Sequence, residues 1–260
     1  MKNLKKEYPI LEFDENKVAF INPDFRCYEK LKDIDNKCHK ILICYFKEVI
    51  KKLLEEKRIE LYFSLDSETV DLHIYKYVDY DICITQGQLG APSMAGFLEE
   101  LIAVGFNVIL CSGGAGVLRK DLQVGKLILV DEAIRAEGLS YHYISPSRTI
   151  KANQEFVSFI KKELDNKNVP YICGKTWTTD AFYRETKDII ELRKEEGAIC
   201  VEMEQSAMFA VTEFRHITYG ALLYGGDDLS SDEWDSRSWR NRSDIRYQLI
   251  ELIKDIINNY

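Results

Sequence analysis

The chain has 260 residues, of which 46% are hydrophobic and 30% are charged, and its formal net charge is −8. Such a composition is typical of a globular protein, and the negative charge argues against a nucleic-acid-binding surface, which needs clustered Lys and Arg. We also expect no membrane association and no secretory signal, because no apolar run reaches the length of a bilayer span and none follows the first residues.

The cysteines predict free thiols. There are seven of them, an odd number without a C-x-x-C pair, so neither a disulfide framework nor a zinc site is indicated. Several lie in apolar, strand-like runs, where a free thiol behaves as a small hydrophobic group. We therefore expect a reduced, cytoplasmic protein, and the sequence predicts no metal site and no cofactor.

The predicted elements alternate between helix and strand along the chain. The first 35 residues look irregular, and apolar positions at helical spacing then predict an amphipathic helix over Cys38–Lys57. Further strands are predicted at 60–63, 73–77, 81–85, 107–111, 127–130, 171–173, 199–204 and 219–223. Further helices are predicted at 92–104, 153–164, 186–195, 205–211 and 239–258. This alternation predicts an α/β fold in which one domain, residues 1–260, has a central mixed, mostly parallel sheet flanked by helices.

The apolar run that begins at Ile199 ends in Glu202-Met203-Glu204. On a strand, Glu202 and Glu204 would share one face while Met203 points to the other. Ligands bind at the carboxyl ends of strands in open α/β sheets, and carboxylates there suit the hydroxyl groups of a sugar such as ribose. The alternative is a pair of acids that cap the following helix.

Two glycine-bearing turns follow predicted strands. In Gln86–Ser93, the backbone N–H groups at a helix start could hold an anion, although glycines at turns commonly serve geometry alone. In Cys111–Gly116, three glycines in four residues permit close approach of a ligand or of a neighbouring element. Packing alone could explain either turn.

Two further segments could carry chemistry. In Thr178–Thr186, Asp180 could cap a turn, or Phe182 could offer a ring on which a planar base stacks. In Tyr224–Leu229, the paired acids Asp227 and Asp228 follow two glycines, an arrangement that fits a general acid in a loop and also a plain turn.

Taken together, these segments resemble the nucleoside phosphorylase and nucleosidase superfamily, which includes uridine phosphorylase and hexameric purine nucleoside phosphorylase. The matching segments appear in the family's order and span roughly residues 80 to 235: Gly90-Ala91-Pro92-Ser93 with Glu99–Ala103, Gly113–Leu118 with Val124-Gly125, Glu137–Ser140, Thr179–Tyr183, Val201–Glu204 and Gly226-Asp227. The resemblance implies a three-layer phosphorylase/hydrolase-like architecture.

The resemblance also implies roles at the ribose. Glu204 would bind the 2′- and 3′-hydroxyls, Met203 would pack against the sugar, and Glu202 would help to hold the ribose or its loop.

On the base side, the resemblance implies that Phe182 contacts the base and that Asp227 acts as general acid, with Asp228 as a substitute. The uracil-binding Gln-x-Arg pattern of uridine phosphorylases is missing after Tyr183. Arg184 and Glu185 are therefore candidates for reading the base, and equally for a surface ion pair.

The phosphate site departs from the family pattern. Where the phosphorylases have an Arg and a Ser or Thr beside the matched glycine, this chain has Cys111 and Gly114. Phosphate would then rely on Arg26 and on the backbone N–H groups near Gly90, Gly113 and Gly114. Arg135, Arg148 or a neighbouring subunit are further sources of positive charge.

Three functions remain open at this point. The first is a nucleoside phosphorylase that cleaves a purine or pyrimidine nucleoside with phosphate to a free base and ribose 1-phosphate. The second is a nucleosidase that uses water, and the third is a nucleoside-binding protein without activity. The expected partners are a small nucleoside and phosphate, and the resemblance implies a homo-oligomer, either a dimer or a trimer of dimers.

Overall fold

The computed structural model describes residues 4–23, 36–66 and 71–260. Within residues 4–23 the regular element is a single 3₁₀ turn at Pro9–Leu11. Arg26, which was predicted to bind phosphate, lies outside the described residues. No helix in the described ranges is both long and apolar enough to cross a membrane.

The described strands and helices alternate as the sequence predicted. The strands are β1 Lys40–Cys44, β2 Ile59–Asp66, β3 Asp71–Tyr77, β4 Ile82–Gln86, β5 Val108–Ser112, β6 Gly114–Val117, β7 Leu127–Ala136, β8 Thr149–Lys151, β9 Tyr171–Thr179, β10 Ala198–Glu202 and β11 Thr218–Asp228. The helices are α1 Lys47–Glu55, α2 Ala91–Ala103, α3 Gln154–Asn166, α4 Lys187–Glu195, α5 Gln205–Arg215 and α6 Ser243–Asn258.

The strands form one mixed sheet, 11-stranded over the residues that are described, in the order β2-β3-β4-β1-β5-β11-β6-β10-β9-β7-β8. The central strands β4, β1, β5 and β11 run parallel to their neighbours within that group, and antiparallel pairs close both edges, β2–β3 at one and β7–β8 at the other. An extra pairing joins β11 to β7. The strands β11, β6, β10, β9 and β7 therefore form a closed ring, while the rest of the sheet stays open.

The helices cover this sheet in pairs: α1 packs on α6, and α2 packs on α5. Two local signals set their ends. The side chain of Asn153 accepts a hydrogen bond from the Phe156 N–H at the start of α3, and α2 begins after Gly90, whose φ of 86° is favourable for glycine. The α/β class with a mixed sheet and flanking helices is thus confirmed.

The helix predicted over Cys38–Lys57 is wrong in its first part. Residues Lys40–Cys44 form β1, which is paired on both sides, with β4 and with β5. A strand buried on both faces is a continuous apolar run, and such a run followed directly by an amphipathic helix has the same periodicity as one longer helix. The helix α1 begins only at Lys47.

Several strands are longer than the sequence indicated, because charged residues interrupt their apolar pattern. The strand β7 continues past Val130 and β9 past Cys173, and in their parallel register Glu132 faces Lys175. These two side chains form an ion pair at 3.1 Å, so neither charge lacks a partner. The strand β11 likewise runs on to Asp228, with an irregular register between Gly225 and Asp228. Asp227 and Asp228 therefore lie at the end of a strand and not in a loop after it.

Candidate active site

A cavity of about 770 Å³ opens where several strands end. Tyr45 follows β1, Gly113 joins β5 to β6, Glu202 ends β10, and Asp227 lies near the end of β11; all four residues line the cavity. The closed ring of strands and the open parallel strands meet here, because β11 belongs to both. This is the edge of the sheet at which α/β proteins place their ligands.

Glu202 is a buried carboxylate whose acceptor capacity is taken up by the protein. It accepts hydrogen bonds from the hydroxyls of Thr176 at 3.2 Å and Thr178 at 2.6 Å, and from the backbone N–H groups of Glu204 and Gln205, each at 2.7 Å. It thereby ties β9 to β10 and caps the N-terminus of α5, where a negative charge is favoured. The capping role that the sequence left open fits Glu202.

Glu204 lies equally deep, at 6% exposed, but it accepts fewer hydrogen bonds. The backbone N–H of Gly90 donates to its Oε1 at 2.7 Å, and the Met203 backbone helps to stabilise the ionised form. Burial raises the pKa of Glu204, and the negative charge of Glu202 raises it further. A carboxylate has about four acceptor positions, so Glu204 keeps capacity for a ligand. The strand predicted to reach Glu204 ends at Glu202, and Met203, which was predicted to point to the other face, lines the cavity beside Glu204.

The two glycine turns are covered by aromatic rings. A Cβ added to Gly87 would lie 2.6 Å from the Tyr45 ring, and one added to Gly113 would lie 3.1 Å from it. A Cβ on Gly114 would lie 3.1 Å from the ring of Trp239. Gly113 and Gly114 line the cavity, whereas the N–H of Gly90 is already given to Glu204. Glycine is needed at these positions because side chains pack against the backbone.

Cys111 does not reach the cavity. The thiol is fully buried, and the side-chain N–H of Gln205, whose oxygen in turn accepts from Tyr219, lies 3.7 Å from its sulfur. Burial raises the pKa of Cys111 to about 12. It is therefore a neutral thiol beneath the site, separated from any ligand in the cavity by Gln205, which lines it.

Two further acids, Glu185 and Asp227, line the cavity. Asp227 accepts a hydrogen bond from the Trp234 indole N–H at 2.7 Å. The negative charge of Asp227 also acts on Glu185. Burial raises the pKa of Glu185 to about 7, with a contribution from the negative charge of Asp227. Glu185 therefore keeps its proton closer to neutral pH than an ordinary glutamate does.

Asp228 points elsewhere. Its carboxylate accepts a hydrogen bond from the backbone N–H of Ser230 at 2.7 Å and lies 3.8 Å from the Arg237 guanidinium. It does not line the cavity. Asp228 shapes the loop after β11, and of the two predicted acids only Asp227 is brought to the site.

The mouth of the cavity is aromatic. Phe182, which is 46% exposed, and Tyr183 both line it, with ring centroids 4.1 Å apart. Arg184 lies beside them on the exposed surface and is not part of the lining. A planar group entering the cavity would therefore meet aromatic faces before it reaches the carboxylates.

Positive charge is scarce at the site. Among the described residues that line the cavity, Lys187 is the one basic side chain, and its ammonium is 3.9 Å from the Asp232 carboxylate. Arg135 is buried in hydrogen bonds to the Ile144–Ser147 loop, and Arg148 forms an ion pair with Glu196. Neither of the two arginines lines the cavity.

Sequence reasoning missed Tyr45 and Trp239. Tyr45 was hidden because β1 was predicted as part of a helix; had β1 been recognised, Tyr45 would be the first residue after a strand end. Trp239 was placed at the start of the last helix, whereas it lies in a 3₁₀ turn before α6. The Arg246 guanidinium donates to the Trp239 carbonyl at 2.7 Å and also lies against the Trp239 ring, so this turn is anchored to α6.

The chain resembles known proteins in sequence and in fold. Residues 40–256 match the family model described as the Phosphorylase superfamily. A uridine phosphorylase of Thermococcus kodakarensis is 31% identical over 134 residues, which cover 52% of this chain and 47% of that protein. A 5′-methylthioadenosine/S-adenosylhomocysteine nucleosidase of Buchnera aphidicola subsp. Acyrthosiphon pisum is 26% identical over 215 residues, 78% of this chain and 91% of that protein. The matched stretch thus spans about half the length of the first relative and most of the second.

A solved structure shows the same fold. The uridine phosphorylase of Vibrio fischeri ES114 superposes with a TM-score of 0.70 and 24% identity, covering 99% of this chain and 98% of that one. At this identity, the likeness speaks for the fold alone.

Proposed function

Because the chain belongs to the phosphorylase superfamily, we propose that it cleaves the N-glycosidic bond of a ribonucleoside and releases the free base. The observation that carries the proposal is Glu204, a buried carboxylate at the cavity with acceptor capacity left for a ligand. The two curated relatives are named as a uridine phosphorylase and as a nucleosidase, and both names fit this class of reaction.

The ribose would lie against the end of β10. Its vicinal hydroxyls are donors that suit Glu204, since a hydroxyl bound to a carboxylate makes a charge-assisted hydrogen bond. Met203 offers an apolar surface for the sugar, and Glu202 acts indirectly by fixing the backbone of Glu204. As the glycosidic bond breaks, positive charge develops on the ribose ring, and the ionised form of Glu204 stabilises that charge.

The base would lie between the aromatic mouth and the acid pair. Phe182 supplies a ring for stacking, and Glu185 together with Asp227 supplies a proton to the departing base. The raised pKa of Glu185 supports this role, because a general acid works best when its pKa lies near the operating pH. Asp228 has no part in it, since its carboxylate is used in the loop after β11.

A specific observation supports each of two nucleophiles. Phosphate is supported by the relative named as a phosphorylase and by the glycine turn Gly113-Gly114, which lines the cavity. Water is supported by the scarcity of positive charge among the described lining residues and by the ring of Tyr45 over Gly87 and Gly113.

The test is release of base from a panel of purine and pyrimidine ribonucleosides, with and without phosphate. Base release from at least one ribonucleoside, and weaker release from its 2′-deoxy counterpart, is the expected result, because Glu204 would lose one of its hydroxyl donors. Calorimetric binding of nucleosides without turnover under either condition would contradict the proposal and indicate a nucleoside-binding protein.

A further inference from the structure

Two acids of the cavity lack counter-ions in the described part of the chain. The carboxylate of Asp227 accepts from the Trp234 indole N–H at 2.7 Å, which is a neutral donor. Among the described residues, Glu185 forms neither a hydrogen bond nor an ion pair. Both side chains are half-buried. A carboxylate that is shielded from water and has no cation beside it is costly, so both acids favour a positively charged ligand.

The lining as a whole is negative. Of its described residues five are acidic and one, Lys187, is basic. Lys187 lies 3.9 Å from one of these acids, and the charge of Glu202 is used by the fold. Glu185, Glu204 and Asp227 therefore remain for a ligand. Burial raises the pKa of both Glu185 and Glu204, as expected for negative charge without a counter-ion.

Aromatic rings accompany these acids. Phe182 and Tyr183 line the mouth, and Trp234 lines the cavity with its indole N–H on Asp227. The face of an aromatic ring attracts a cation, and more strongly where water is partly excluded. Rings together with carboxylates suit an organic cation with a planar, delocalised charge. A metal ion fits less well, because the described ranges contain no group of three or more His, Cys, Asp or Glu side chains that could hold one.

We propose that the cavity selects ribonucleosides whose base carries a positive charge, with Asp227 and Glu185 as the groups that bind the charged base. The inference rests on the proposed cleavage of a nucleoside and names the class of its substrate. Glu204 lies where the ribose would bind. Carboxylates thus serve both groups that hold positive charge, the base before cleavage and the ribose during it.

Cleavage of such a substrate needs no proton from the protein. The C1′–N bond breaks, and its electron pair cancels the positive charge of the base, which leaves as a neutral molecule. Water or hydrogen phosphate forms the new bond to C1′, and one proton passes to the solvent in either case. The inference therefore holds for both nucleophiles.

The experiment compares two pyridinium ribonucleosides that differ in one substituent. Nicotinamide riboside has an uncharged amide and a net positive charge, whereas nicotinic acid riboside has a carboxylate that cancels this charge. The readout is the ratio of kcat/KM for the two substrates at pH 8, measured with and without phosphate. Because the intrinsic reactivity of the two bonds is the same for every variant, it cancels when the ratios of two variants are compared.

Four proteins are measured: wild type, Asp227→Asn, Glu185→Gln and the control Asp228→Asn, which removes an acid outside the cavity. Thermal unfolding shows that each is folded. Glu185→Gln keeps the test open if Asp227→Asn does not fold, since no described hydrogen bond depends on Glu185.

Wild type should favour nicotinamide riboside, and Asp228→Asn should keep the same ratio within about twofold. Asp227→Asn and Glu185→Gln should each lower the ratio on the order of 10-fold, because each removes one negative charge that acts on the ligand at a partly buried site.

A pH series separates charged from neutral substrates. For nicotinamide riboside, kcat/KM should rise between pH 6 and pH 8, because Glu185, whose pKa is about 7 under the influence of Asp227, gains its negative charge in this range. For a neutral nucleoside, kcat/KM should fall over the same range, because the departing base needs the proton of Glu185.

Two results would overturn the inference and leave the proposed function intact. One is a ratio that is unchanged in both Asp227→Asn and Glu185→Gln. The other is a wild-type protein that cleaves neutral nucleosides but not nicotinamide riboside. Failure of wild type to cleave any ribonucleoside, charged or neutral, would remove the proposed function itself, and the inference with it.

Discussion

The carboxylates of Glu202 and Glu204 stand two residues apart at the same rim of the sheet, yet they are used in opposite ways. Glu202 accepts from two threonine hydroxyls and two backbone N–H groups, so its charge is consumed by the fold. Glu204 accepts from the N–H of Gly90 and borders the cavity. Glu202 therefore stabilises the end of β10, whereas Glu204 keeps acceptor capacity for a ligand.

The substitution Glu204→Gln should lower cleavage of ribonucleosides by about two orders of magnitude or more, since an amide cannot replace a charged acceptor at a desolvated site. The Gly90 N–H can still bond to the amide oxygen, so the fold should be kept. Steady-state kinetics on the best nucleoside of the panel checks this. Unchanged kinetics would remove ribose binding from Glu204.

The same substitution should stabilise the protein at alkaline pH. The pKa of Glu204 is raised in the folded state, so the folded protein binds this proton more tightly than the unfolded chain, and stability falls as pH rises from the ordinary value of 4.5 through the folded pKa. Removing the charge should raise the free energy of unfolding by about 1 kcal/mol or more at pH 8 and leave it nearly unchanged at pH 4. Thermal unfolding at both pH values measures it. A stability gain that is equal at both would argue against the buried charge as its cause.

Glu202→Gln should behave differently. One of its side-chain oxygens becomes an NH₂ group, which faces either the two threonine hydroxyls or the backbone N–H groups of Glu204 and Gln205. We expect a loss of about 2–3 kcal/mol in the free energy of unfolding at pH 7, because buried donors lose their acceptor. Urea denaturation measures it, with Glu204→Gln as the matched control on the same loop. A loss of activity without loss of stability would indicate that Glu202 acts directly on the ligand.

Comparison of sequence and structure explains why these two acids could be found early and Tyr45 could not. An apolar run that ends in acids indicates a strand end, and Glu202 does end β10, whereas Glu204, predicted on the same strand, lies at the start of α5. Tyr45 depended on recognising β1, whose apolar residues merge with those of α1 into one helical pattern. A short buried strand carries no periodicity of its own, so its strand neighbours, β4 and β5, decide its structure.

The acid pair shows a second limit. Asp227 was identified from the motif Gly226-Asp227, but the motif does not indicate that its charge acts on Glu185, which lies far away in the sequence, just before α4. Apart from that motif, the sequence offers no reason to prefer Asp227 over Asp228. The register of β11 is irregular between Gly225 and Asp228, and the carboxylate of Asp228 bonds to the N–H of Ser230. Contacts between distant segments, and the direction of side chains at a strand irregularity, are not contained in local patterns.

The acid pair gives a prediction about pH. The proton held by Glu185 is lost as pH rises through its pKa of about 7, so cleavage should fall above neutral pH. Glu185→Gln should remove that alkaline fall and lower activity at pH 6 by about 10²-fold. A pH profile of kcat/KM for wild type and variant tests it. An alkaline fall that survives in Glu185→Gln would assign the proton to another group.

Asp227→Asn should lower cleavage of purine nucleosides strongly and that of pyrimidine nucleosides less, because the departing purine has a ring nitrogen that can accept the proton. Asp228→Asn is the matched control, since it changes the neighbouring acid, whose carboxylate does not line the cavity. Rates on one purine and one pyrimidine nucleoside decide between them. An equal loss in Asp228→Asn would mean that the loop after β11, and not the acid itself, governs activity.

The packing of Tyr45 can be tested without any substrate. Alanine at Gly87 would place a Cβ 2.6 Å from the Tyr45 ring, closer than any real contact, so the ring must move. We expect Gly87→Ala to lower the free energy of unfolding by about 1–3 kcal/mol, the usual cost of overpacking. In the double variant with Tyr45→Ala the steric conflict is gone, so the cost of Gly87→Ala should shrink to well under half. If Gly87→Ala costs the same with and without the Tyr45 ring, the two residues are not coupled. Gly87 would then be required for its backbone geometry and not for its packing against Tyr45.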